Sequence, residues 1–217
     1  MSNNRTTQPR MTQSHVGTLV IISSPSGGGK TSICRKLLSR SRRRQGWTFS
    51  VSYTTRSKRV GERNGREYFF VDDNEFAQRA RRGFFAEHFK VHLYKYGTPR
   101  EPLESVRKRG GVLLLDVDVH GALRIKRDFR EAITIFVLPP SIAALRQRLR
   151  QRGTETPEQL RIRFENAKGE MRLYHKFDYI VINQDVETAV QDVLSIVRAH
   201  GTRRENISKE QIRKIIG

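Results

Sequence analysis

Five short runs of apolar, mostly β-branched residues recur along the chain, at 18–23, 48–53, 112–117, 133–138 and 179–182. Each is continuous rather than alternating, which is the pattern of a strand buried on both faces of a parallel sheet. Segments with helical spacing follow or separate them, at 29–41, 101–109, 119–128, 141–151, 157–174, 185–199 and 207–215. Gly110-Gly111 and Pro139-Pro140 punctuate the strand boundaries. The expected class is α/β, a parallel sheet of about five strands flanked by helices.

Two regions break this rhythm. From 53 to 98 the chain is rich in Arg, Tyr and Phe, with short alternating runs such as Glu67-Tyr68-Phe69-Phe70-Val71. That predicts a small insertion of short strands and one helix. From 146 to 166 arginines crowd around Arg152-Gly153-Thr154-Glu155, a polar, glycine-hinged pair of helices with the character of a lid.

The turn after the first strand carries the first chemistry. Ser24-Pro25-Ser26-Gly27-Gly28-Gly29-Lys30-Thr31 runs from an apolar strand into a helical segment, the context that a phosphate-binding loop requires. Three consecutive glycines let successive N–H groups converge. Lys30 adds a positive charge, and Thr31 offers a hydroxyl to Mg²⁺. Ser24 stands where the first glycine of this loop pattern is usual. Leu113-Leu114-Leu115-Asp116 ends a second apolar strand in a carboxylate, which can hold the same Mg²⁺ directly or through water.

Composition narrows the setting. The 217 residues fit one domain, and the single cysteine, Cys34, excludes an internal disulfide and suits a reducing cytoplasm. Cys34 is expected as a buried small side chain. No apolar run reaches the roughly 18 residues of a spanning helix, so no membrane role is expected. Residues 1–16 are polar and are expected to form a disordered basic tail. The net charge of +20 attracts polyanions, but it is spread along the chain with few aromatics interleaved, so specific nucleic-acid binding is not expected. The densest run, at 40–44, suits a helix end. The six histidines match no metal spacing and are read as structural or solvated. Arg146, Arg150 and Arg161 are read as solvated.

A second basic cluster makes the site bipartite. Ser50 to Glu62 groups hydroxyls with Arg56 and Arg59, and Tyr68 follows shortly. Two arginines and a phenol can grip another phosphate, which suggests transfer between two phosphorylated substrates.

These segments together resemble the guanylate kinases of the nucleoside monophosphate kinase group, over about 17–200. The resemblance rests on Ser-x-Ser-x-Thr-Thr-Arg-x-x-Arg-x-Gly-Glu at 50–62, Tyr-Phe-Phe-Val at 68–71, Phe-x-Glu at 85–87 and Tyr-Gly-Thr at 96–98. Leu-Asp-Val-Asp-x-x-Gly at 115–121, Pro-Pro-Ser at 139–141 and Arg-Gly-Thr-Glu at 152–155 extend it. The family commonly has Gly-Asn-Tyr where this chain has Leu93-Tyr94-Lys95, and an acidic residue where Gln184 stands.

The resemblance implies a P-loop fold whose core takes 17–52, 99–145 and 167–200, with a GMP-binding insertion at 53–98 and a lid at 146–166. Residues 201–217 would be a helical extension. It implies transfer of a phosphoryl group from ATP to GMP with Mg²⁺. Ser24 to Ser32 and Asn183 would bind ATP. Ser52, Arg56, Arg59 and Tyr68 would hold the GMP phosphate, with Tyr96 closing that side. Glu87, Thr98 and Asp118 would read guanine, whose N1–H and N2–H₂ donors suit carboxylate acceptors. Lys30, Arg56, Arg148, Arg152 and Arg163 would carry catalysis, and Thr31 and Asp116 the metal. Lys30 and Thr31 argue against a noncatalytic protein-binding module, and Glu87 with Asp118 against a kinase of phosphorylated sugars.

Overall fold

The computed structural model describes residues 17–39, 43, 45–91, 93–151, 156–207 and 209–217. The expected tail at 1–16, most of the arginine run at 40–44, and Arg152 with the rest of 152–155 lie outside the described residues.

Five parallel strands form the main sheet: β1 (Thr18–Ser23), β2 (Trp47–Phe49), β7 (Val112–Asp116), β8 (Ile133–Leu138) and β9 (Tyr179–Ile182), in the order β2-β7-β1-β8-β9. β1 is central and its neighbours run to opposite sides, so its carboxyl end is the switch point where such sheets bind ligands. Both faces are covered, which explains the unbroken apolar strands. Leu19, Ile21, Leu113, Leu115 and Phe136 meet α3 (Arg100–Arg109) and α4 (Val119–Asp128) on one face. Val20, Ile22, Leu114, Ile135, Val137 and Val181 meet α1 (Lys30–Leu37) and α7 (Val186–Gly201) on the other. Each of these side chains, when fully buried, contributes about 1.5–3 kcal/mol. Cys34 lies in the second of these layers.

The apolar run at 48–53 is not one strand. Trp47–Phe49 pairs with β7, and the Ser50 N–H still donates to the Leu114 carbonyl (3.0 Å). Beyond that the chain leaves for a second sheet, because Tyr53–Thr54 (β3) pairs antiparallel with β6 (Tyr94–Pro99). That sheet runs β4-β3-β6-β5, with β4 at Phe69–Phe70 and β5 at Phe85–Val91. Its aromatic residues fill a small core: Phe85 stacks on Phe76 (4.7 Å between rings), and Tyr53 on Phe69 (4.7 Å). Phe76 comes from α2 (Asp73–Arg81), capped where the Asp72 carboxylate accepts the Glu75 N–H.

Two further helices follow β8. α5 (Ile142–Arg150) is capped by Ser141, and α6 (Pro157–Met171) opens on a reciprocal Thr156–Gln159 capping box with Pro157 in its first turn. Leu145 and Leu149 of α5 pack on Ala167 of α6. The helix begun at Lys30 ends at Leu37, short of residue 41, and α8 spans Lys209–Ile216. Among the described residues no helix is long and apolar enough to cross a membrane.

Candidate active site

The turn from β1 into α1 sits at the switch point. Gly29 adopts φ +95°, open to glycine at little cost, and a Cβ there would lie 2.1 Å from the Asn183 amide nitrogen. Asn183, 2% exposed at the end of β9, donates Nδ2–H to the Gly28 carbonyl (2.8 Å). Arg148 of α5 braces the same spot, donating to the Asn183 carbonyl (2.9 Å) and the Gly28 carbonyl (3.4 Å). Asn183 and Arg148 are thus fastened to the loop's backbone, so they position it. The Ser24 hydroxyl donates to the Pro25 carbonyl, and a Cβ on Gly28 would lie 2.8 Å from the Ser24 Cβ. Ser24 is accommodated because its neighbour across the turn has no side chain. Ser26 is held from α6: Arg163 donates to its hydroxyl (2.7 Å) and Glu170 accepts its N–H (3.1 Å).

Lys30 opens α1 and reaches β7. Its ammonium lies 2.6 Å from the Asp116 carboxylate and donates to the Val117 carbonyl (2.6 Å). Burial alone would lower the pKa of Lys30, but Asp116, with weaker help from Cys34 and Asp118, holds it above the ordinary lysine value. Thr31 and Ser32 are exposed in the first turn of the same helix.

A second cluster lies along β3, β4 and β6. Arg56 is buried and makes a bidentate pair with Glu62 (2.8 and 3.0 Å) while donating to the Ser57 carbonyl (2.7 Å). Its guanidinium lies over the Tyr68 and Phe70 rings, 5.5 and 5.6 Å from their centres. Glu62 also accepts the Arg59 N–H (2.8 Å), so one carboxylate shapes the whole loop; the Arg59 side chain is exposed. Tyr68 meets Tyr96 edge-on at 5.9 Å, and Ser52 is half-buried. The Tyr68 hydroxyl has a raised pKa, through burial first and the Asp116 charge second, while Lys30 and Arg56 pull it down. It therefore stands within the electrostatic field of both clusters.

Beside it, Glu87 of β5 pairs across the ladder with Thr98 of β6, whose hydroxyl donates to Glu87 Oε1 (2.6 Å). Both side chains are buried, and among the described residues Oε2 of Glu87 has no partner. Burial pushes the carboxyl pKa up to about 7; Thr98 works against this shift and Asp118 adds to it. Asp118 caps α4 by accepting the Gly121 N–H (2.6 Å). A buried acceptor without a donor is costly unless a ligand completes it.

Of the expected residues, the structure brings Ser24 to Ser32, Lys30, Asp116, Asn183, Arg148 and Arg163 around the loop. Arg56, Tyr68 and Tyr96 gather at the second sheet, with Ser52 beside Phe69 of that sheet, and Glu87 and Thr98 pair on its β5–β6 ladder, within the field of Asp118. Arg152 lies outside the described residues, as do His15 and His92. Arg150 is exposed as expected; Arg161 pairs with Glu158, and Arg146 lies 4.8 Å over the Phe164 ring. Two carboxylates escaped the sequence reading. Glu62 was visible as the last residue of the 50–62 segment, and Glu170 only as the residue two helical turns beyond Arg163.

Residues that could hold Mg²⁺ are Thr31 and Asp116, both at the carboxyl edge of the sheet. Among the described residues no three His, Cys, Asp or Glu side chains converge as a metal cage. One hydroxyl and one carboxylate suit Mg²⁺, which takes most of its ligands from water and substrate phosphates.

A family model described as guanylate kinase matches residues 16–200. A guanylate kinase of Thermotoga maritima is 44% identical over 195 residues, covering 90% of this chain and 91% of that protein. One from Aromatoleum aromaticum is 42% identical over 190 residues, covering 88% and 92%. The crystal structure of guanylate kinase from Anaplasma phagocytophilum superposes with a TM-score of 0.74 at 31% identity, covering 90% and 92%. With a family model over most of its length and relatives above 40% identity beside a glycine-rich loop, a basic second cluster and a buried carboxylate, the chain belongs to the guanylate kinase family.

Proposed function

We propose that the two halves of the cleft divide the substrates, the glycine-rich loop taking ATP and the β3–β6 sheet taking GMP. The chain is a guanylate kinase: it phosphorylates GMP to GDP at the expense of ATP. The assignment of residues to roles rests on one observation above others. Glu87 is buried, hydrogen-bonded by Thr98 through one oxygen, and its second oxygen has no partner among the described residues. Guanine supplies the N–H donors that this acceptor lacks, and adenine has no such donor pair.

In this reading the backbone of Ser24 to Ser32 cradles the ATP phosphates, and Asn183 with Arg148 keeps the loop in shape. Arg56, Arg59, Tyr68 and Ser52 hold the GMP phosphate, with Tyr96 closing that side and Asp118 joining Glu87 and Thr98 at the base. The attacking atom is a GMP phosphate oxygen, already anionic, so no general base is needed. Catalysis is positioning and charge neutralisation by Lys30, Arg148, Arg152 and Arg163. When bound, Mg²⁺ at Thr31 and Asp116 neutralises phosphate charge. The division into core (17–52, 99–145, 167–200), GMP-binding insertion (53–98), lid (146–166) and C-terminal extension (201–217) belongs to this proposal, as does a cytoplasmic location.

ADP release measured with GMP, AMP, CMP and UMP as acceptors tests the reading. GMP alone should support fast turnover. AMP turning over as well as GMP would overturn the role of Glu87.

A further inference from the structure

Glu170 puts a negative charge where the reaction needs positive ones. It sits on α6 two turns after Arg163, and both side chains converge on Ser26 of the glycine-rich loop. Arg163 takes the Ser26 hydroxyl, and Glu170 Oε2 accepts the Ser26 N–H at 3.1 Å. The carboxylate is half-buried, and Lys30, Asp118 and His120 act on it electrostatically. An anionic oxygen on a backbone amide of this loop makes the contact that a phosphate oxygen makes there.

Two anions cannot share that position without strong repulsion. We propose that Glu170 is an internal competitor for the nucleotide phosphates, its carboxylate leaving the Ser26 amide whenever ATP or ADP enters the loop. The inference rests on the reading that this loop binds ATP. Two consequences follow. Glu170 weakens nucleotide binding, and so speeds ADP release. The release of Glu170 also frees a bond that docks α6 on the loop, which links nucleotide binding to movement of that helix. A carboxylate that merely fastened α6 would stay on Ser26 and favour nucleotide binding by holding the loop.

Calorimetric titration of the full chain with ADP in the presence of a chelator separates these cases. Glu170→Gln keeps the shape and the hydrogen-bond acceptor and removes the charge. ADP should bind it on the order of tenfold more tightly than the wild type. KM for ATP should fall while KM for GMP stays unchanged. Glu170→Ala, which loses charge and acceptor together, should also bind ADP more tightly. Unchanged or weaker ADP binding by both variants overturns the proposal. So does a crystal structure of the wild-type ADP complex with Glu170 still bonded to the Ser26 N–H. Lys30→Ala serves as the control: if the wild type binds ADP and Lys30→Ala binds it no more weakly, the ATP reading of the loop itself fails.

Discussion

The Lys30 ammonium and the Asp116 carboxylate lie 2.6 Å apart, joining the loop after β1 to the end of β7. The pairing keeps the lysine charged despite burial, which a residue that must meet phosphate requires. It also gives Asp116 a task apart from the metal-holding role proposed for it. Lys30→Ala should cost on the order of 3 kcal/mol of transition-state stabilisation, roughly a hundredfold in kcat, with the fold retained. Steady-state kinetics with circular dichroism checks this, and near-normal turnover would remove Lys30 from the mechanism.

Asn183 underpins the loop from the far edge of the sheet. Asn183→Ala removes the 2.8 Å bond to the Gly28 carbonyl and leaves it the longer 3.4 Å bond from Arg148, so it should destabilise the fold by about 1 kcal/mol. KM for ATP should rise with KM for GMP unchanged. A rise in both, or in GMP alone, would contradict the assignment of this side chain to the ATP half.

Arg56 is the structural centre of the second cluster. Arg56→Lys loses both the bidentate grip on Glu62 and the stacking on Tyr68 and Phe70. KM for GMP should increase about tenfold or more, with ADP binding unaffected. An unaltered KM for GMP would show that this guanidinium does not reach the substrate.

Glu87 gives the protein a pH-dependent stability. Its carboxyl titrates near 7 in the fold against 4.5 in the unfolded chain, so the folded state binds the proton more tightly. The resulting stabilisation is fully present below pH 4.5 and is lost as pH rises through 7; it amounts to about 3 kcal/mol. Glu87→Gln, neutral throughout, should abolish that part of the slope in thermal unfolding between pH 4.5 and 7. It should also weaken GMP binding, since Gln offers guanine no anionic acceptor. An unchanged pH slope in the variant would place the titration elsewhere.

Gly29 ties conformation to function. Gly29→Ala forces a side chain into φ +95° and against the Asn183 amide. The expected result is a destabilisation of about 1–3 kcal/mol together with weaker ATP binding. A variant as stable and as active as the wild type would mean that the loop relaxes freely.

Much of this protein is legible along the chain because the relevant physics is local. A run such as Thr18–Ser23 reads as a doubly covered strand from its composition alone, and Gly27-Gly28-Gly29-Lys30-Thr31 announces a phosphate loop by spacing. The helix at Val119–Asp128 matches its expected bounds because Asp118 supplies a local cap. The long-range partner of each polar side chain was not legible. Arg56 pairs with Glu62, Glu170 seizes Ser26 across 144 positions, and Asn183 meets Gly28 across 155. The run at 48–53 likewise divides between two sheets, since strand pairing depends on partners at 94–99 and 112–116. Periodicity records which face of an element is buried. Only the assembled sheet, by bringing distant loop ends to one edge, decides which charge meets which.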